Sequence, residues 1–143
     1  MFTTHPVLGD STNTAPVASW PLRPESLSAS RARRLVAGQL SDWGLESLTA
    51  TVRLLVSETV TNAVRHAPGP IRLSLYRYPI ALRCEVEDTS PRAPHHSPAR
   101  DEAENGRGLE LLDALTDSWG SDPTRDGKIV WFELALRGTS PAE

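Results

Sequence analysis

The chain predicts an α/β two-layer sandwich, a mixed, mostly antiparallel sheet covered on one face by helices. Two observations carry this. Apolar residues fall on every second position in three segments: Ile71-Arg72-Leu73-Ser74-Leu75, Ile80 to Val86, and Lys128 to Leu136. Such alternation describes strands with one face in a core and the other in water. Two longer segments, both ahead of the first of these, space their apolar residues three and four apart, as helices with one buried stripe do. With 143 residues, the chain is one domain with room for a real core.

The elements follow in order. Residues 1–17 are rich in Thr, Pro, Ser and Asn without periodicity, and a disordered tail is expected there. Ala18 to Arg23 reads as a short edge strand, because Pro21 is tolerated only at an edge. A helix follows, with Ser26 or Ser28 as cap and Ala32, Leu35, Val36, Gln39 and Leu40 at helical spacing; it stops at Trp43-Gly44. A second helix runs from about Ser47 to Ala67, until Pro68-Gly69-Pro70 ends it. Two alternating strands come next, joined by a turn at Tyr78-Pro79, with Ile80, Leu82, Cys84 and Val86 on the inward face. One more step of that period puts Asp88 on the core face. Periodicity then ceases from Thr89 to Gly106, a connection of 18 residues, and connections of that length tend to be lids or binding loops. Leu109, Leu111, Leu112 and Leu115 begin a short helix, Trp119-Gly120 introduces a strand, and Asp126-Gly127 signals a hairpin turn. In the last strand Val130, Phe132, Leu134 and Leu136 share a face. The foldable part is therefore residues 18–137, and 138–143 form a short polar tail.

Composition narrows the function. A net charge of -3 gives no electrostatic reason to expect nucleic acid or an anionic membrane as partner. No apolar run approaches the roughly 20 residues that span a bilayer. No secretory leader is visible at Met1 to Val17, and the cytoplasm is the expected compartment. Cys84 is the only cysteine, which excludes an internal disulfide and a multi-cysteine metal site. Lys128 is the only lysine among 15 cationic residues. No glycine-rich loop with a lysine is present, so a nucleotide would be held by another scheme.

The richest stretch is Glu58-Thr59-Val60-Thr61-Asn62-Ala63-Val64-Arg65-His66. Four residues turn a helix by about 400°, so Glu58, Asn62 and His66 climb one side with about 40° of drift per step. The apolar stripe runs through Leu48, Val52, Leu55, Val56, Thr59 and Ala63. Asn62 falls at its edge and Glu58 just beyond, whereas Ala50, Ser57 and Thr61 occupy the middle of the solvated face. Polar groups set against a core need partners, and a ligand with a metal ion is one way to supply them. Taken singly, each residue also has an ordinary role: Glu58 as a solvated helix residue, Asn62 bonded to nearby backbone, Asp88 turned back to water, His66 as a cation suited to the helix end. His95-His96 lacks the further ligands of a zinc site.

In combination, a helical Glu-x3-Asn, a strand ending in an inward Asp, and a long connection closing on Gly106-Arg107-Gly108-Leu109-Glu110-Leu111-Leu112 resemble the GHKL ATPases and kinases. The closer resemblance is to the small anti-sigma factor serine/threonine kinases of bacteria, over about residues 18–137. It implies the Bergerat-type fold, with ATP between the helices and a mobile lid over residues 90–107. It further implies that Asn62 binds Mg²⁺, Glu58 is the general base, and Asp88 accepts a hydrogen bond from the adenine amine. Gly106, Arg107, Gly108 and Leu109 would bind the phosphate side of the nucleotide. The partners it implies are a sigma factor and an anti-anti-sigma (STAS-like) protein, with the domain a homodimer. The family pattern Asp-x-Gly-x-Gly is replaced here by Asp88-Thr89-Ser90-Pro91-Arg92. A second reading is a non-catalytic ATP-binding regulatory module. A sensor kinase is disfavoured by the lack of a preceding phosphoacceptor helix, and a ligand-free α/β domain is the plainest reading.

Overall fold

A computed structural model describes residues 16–90 and 107–136. The expected N-terminal tail up to residue 15, the interior of the expected lid and the C-terminal tail lie outside them. Five strands, β1 (Val17–Leu22), β2 (Ile71–Arg77), β3 (Ala81–Asp88), β4 (Ser118–Pro123) and β5 (Lys128–Ala135), form one sheet in the order β1-β2-β3-β5-β4. All four pairings are antiparallel. The helices are α1 (Leu27–Asp42), α2 (Thr49–His66) and α3 (Arg107–Leu115), with a 3₁₀ turn at Glu46–Leu48 leading into α2. The two-layer sandwich is as expected.

Local chemistry sets the element ends. Strand β1 takes in Val17, which the sequence assigns to the tail, and the Arg77 N–H donates to the Pro16 carbonyl at 3.0 Å. Neither expected serine caps α1. Ser26 stands at the cap position in helical backbone geometry, φ -62 and ψ -29, and its side chain makes no cap bond; a capping side chain needs extended backbone there. Ser28 donates to the Arg23 carbonyl at 2.6 Å instead. The far end of α1 is well closed. Gly44 adopts φ 74, the Leu45 N–H reaches Leu40 O and the Gly44 N–H reaches Ser41 O, the paired bonds that satisfy the last carbonyls. Helix α2 stops at Ala67, which is extended at φ -119 and ψ 129, as the residue before a proline prefers.

The core lies between the helix layer and one sheet face. Leu73, Leu75, Leu82, Cys84, Val86, Phe132 and Leu134 come from the sheet, and Val36, Leu40, Val52, Leu55, Val56, Val60 and Leu112 from the helices. Each buried side chain of this size stabilises the fold by roughly 1.5–3 kcal/mol. Burial pushes the Cys84 thiol up from its ordinary value. Ile80, expected inward, is 65% exposed, because it precedes β3 in the turn and so escapes the strand's alternation.

On the opposite sheet face, Arg83 bridges β3 and β5. Its guanidinium bonds Glu85 at 2.9 Å and Glu133 at 2.8 Å and stacks 4.3 Å from the Trp131 ring centroid. Arg83 lies directly across from Glu133, and the same register sets Asp88 across from Lys128 at the sheet's other end.

Candidate functional site

Helix α2 is the central helix of its layer: it contacts α1, α3 and β3, while α1 also contacts β1 and α3 contacts β4. Its buried residues are Val52, Leu55, Val56, Thr59, Val60 and Ala63. Ser57, expected in open solvent, is half-buried and accepts a 2.9 Å hydrogen bond from Arg33 of α1. That bond marks the α1 flank. Glu58 and Asn62 lie around the helix on the opposite flank of the stripe, which is the side of α3. Both are half-buried, and neither has a side-chain hydrogen bond among the described residues. His66, the last residue of α2, is exposed.

Topology brings this flank to the same end of the sandwich as Asp88. The C-terminus of α2 passes through Pro68-Gly69-Pro70 into β2, whose first residues pair with the last of β3: Arg72 lies across from Glu87. The Gly69 N–H donates to Thr89 Oγ1 at 3.1 Å, tying the helix end to the residue after Asp88. Helix α3 returns to β4 near Ser118, across from Glu133 at the other end of the sheet. Running beside α2, it directs its first turn, Arg107 to Leu109, towards the Asp88 end. Leu109 packs half-buried against the core. Gly106 lies outside the described residues.

Asp88 does not turn back to water. Its side chain is 2% exposed, on the inward face that alternation assigns to it. Oδ1 accepts the Ser90 N–H at 2.8 Å and a Lys128 N–H at 3.2 Å, and Oδ2 accepts from Lys128 at 2.9 Å. The β4–β5 turn closes behind it, where Gly127 sits against the Asp88 and Thr89 backbone. A side chain added to Gly127 would fall 2.0 Å from the Asp88 carbonyl oxygen.

Lys128 and Gly127 were not singled out as site residues from the sequence. The signal for Lys128 was available, since stepping back by two from Val130 places it inward, as stepping forward from Val86 places Asp88. Gly127 reads as an ordinary hairpin glycine, and nothing in the local sequence reveals the strand packed upon it.

Among the described residues no group of three His, Cys, Asp or Glu side chains could hold a metal ion. A divalent ion would thus draw on the Asn62 oxygen together with oxygens from a ligand and water, a donor set suited to a hard cation. Asn62, half-buried and without a side-chain partner among the described residues, fits that part. An open groove of about 600 Å³ lies elsewhere, lined by Leu22, Arg23, Arg31, Pro68 and Gly69 among others. It contains none of Glu58, Asn62 and Asp88. Its position on the β1 side sets it apart from the α2–α3 flank.

A five-stranded antiparallel sheet backed by helices on one face agrees with the fold of a GHKL-type ATPase domain. The model of the histidine kinase-like ATPase domain matches residues 20–134, and the chain belongs to that family. No curated protein matches it. Among the described residues no helix is long and apolar enough to cross a membrane.

Proposed function

We propose that this chain is an anti-sigma regulatory factor that binds ATP and transfers its terminal phosphoryl group to a serine or threonine of a small anti-anti-sigma, STAS-like protein. The observation that carries the proposal is the half-buried pair Glu58 and Asn62, without side-chain partners among the described residues, at the end of the sandwich that holds Asp88. Asn62 would hold Mg²⁺ through its side-chain oxygen, and the ion would neutralise charge on the phosphates. Glu58, one turn earlier, would take the proton of the attacking hydroxyl. Asp88 would accept from the adenine amine, while backbone N–H groups at the start of α3 would face the phosphates. In this reading the domain is cytoplasmic and dimeric, binds a sigma factor, and releases it according to the phosphorylation of the antagonist.

One observation favours a second reading, a regulatory module that binds ATP without transferring phosphate. The residues after Asp88 are pinned: Ser90 is buried with its N–H on Asp88, and Thr89 is bonded to Gly69. The family pattern has glycine at position 90, where backbone freedom would serve lid motion.

Glu58→Ala separates the two. The untagged chain is purified from its native cell with its bound protein, both are identified by mass spectrometry, and transfer from γ-labelled ATP is followed. Kinase action predicts ATP affinity within about threefold of the native chain and transfer slowed by about 10²–10⁴-fold. A native chain that never labels its partner would leave the module reading standing, whereas a variant that labels it as fast as the native chain would remove Glu58 as the base.

A further inference from the structure

The roles proposed above leave Lys128 without a task, although it is the chain's only lysine and is 8% exposed. An ammonium carries three N–H donors. The Lys128 Nζ lies 2.9 and 3.2 Å from the two Asp88 oxygens and has no other partner among the described residues, so even with one N–H spent on each oxygen a third is left. Asp88 has one acceptor position left as well. Its Oδ1 is filled by Ser90 and Lys128, whereas among the described residues Oδ2 accepts from Lys128 alone. The pair therefore presents one unfilled acceptor beside one unfilled donor, both nearly out of water, where unmade hydrogen bonds are costly. The lysine is the more accessible member, with its side chain 10% exposed against 2% for Asp88.

The edge of adenine has the complementary pattern, an amine donor next to the ring acceptor N1. We infer that Lys128 is a second base-reading residue, donating its third N–H to N1 of adenine while Asp88 Oδ2 accepts from the exocyclic amine. This rests on the ATP-binding reading above and adds a specificity contact to it. A simple counter-ion to Asp88 would satisfy the carboxylate but would not respond to what stands at position 1 of the base.

The test compares ATP with 1-deaza-ATP, in which a C–H replaces N1, by calorimetry on the full chain. The native chain is expected to bind 1-deaza-ATP about tenfold more weakly, the size of one lost charge-assisted hydrogen bond. In Lys128→Met the two nucleotides bind equally, ATP having fallen to the level of its analogue. Because that change leaves a buried carboxylate without its cation, melting temperature is read alongside. Lys128→Gln, which keeps an amide donor for Asp88, serves as the second variant, with discrimination expected to fall below about threefold. Equal binding of both nucleotides by the native chain, or a tenfold preference that survives in a folded variant, overturns the inference alone. Absence of any ATP uptake removes the functional reading and this inference with it.

Discussion

Asp88→Ala is expected to lower stability by about 3–5 kcal/mol, because it strands the Lys128 ammonium in a buried position without its partner. For a domain of this size that corresponds to a fall in melting temperature of roughly 10–20 °C. ATP affinity is expected to drop by about 10- to 100-fold in the same variant, through loss of a charged acceptor for the adenine amine. The two effects separate in a double variant. Asp88→Ala with Lys128→Met removes both charges, so part of the stability returns while ATP binding does not. Melting curves and calorimetry on the four chains of this cycle give the coupling directly. Recovery of ATP binding in the double variant would mean that Asp88 acts only as a counter-ion.

Gly127→Ala is the second large effect. The added carbon would lie 2.0 Å from the Asp88 carbonyl oxygen and 2.6 Å from Thr89 Cα. Backbone, unlike the end of a side chain, cannot swing aside, so the β4–β5 turn or the end of β3 must move. Overpacking of this kind costs about 1–3 kcal/mol and occasionally more; with backbone as the obstacle, about 3 kcal/mol or more is expected here. Because the moving segment carries Asp88, ATP affinity should fall with it. Gly120→Ala is the natural comparison, since its added carbon meets the Trp131 indole at 2.7 Å, a side chain on the far sheet face. That variant should lose stability but retain ATP affinity once folded. Equal loss of binding in both would show that the effect of Gly127 is not local.

Much of this was legible in the sequence because burial writes a period into it. The alternation of Leu82, Cys84 and Val86 located Asp88 on the inward face, and the helical spacing of Val52, Leu55, Val56 and Thr59 set Asn62 and Glu58 on one flank. Gly44 and Pro68 announced where helices stop, through backbone geometry that few other residues share. What escaped is tertiary. The Asp88–Lys128 pair depends on a strand register that also sets Arg83 opposite Glu133 some distance away. The contact at Gly127 depends on two segments nearly forty positions apart. Ser57 looked solvated until α1 placed Arg33 beside it. Ser26 has the right identity for a cap but not the backbone angle.

The central claim is that Glu58, Asn62 and Asp88, remote along the chain, serve one nucleotide at one end of the sandwich. Its most direct test is a titration of the ¹⁵N-labelled chain with Mg·ATP, followed through assigned amide resonances. The account predicts that signals of residues 58–62, 88–90, 107–109 and 127–128 shift together, saturating at one nucleotide per chain. An unchanged spectrum, or shifts confined to the groove at Leu22, Arg23 and Gly69, would contradict it.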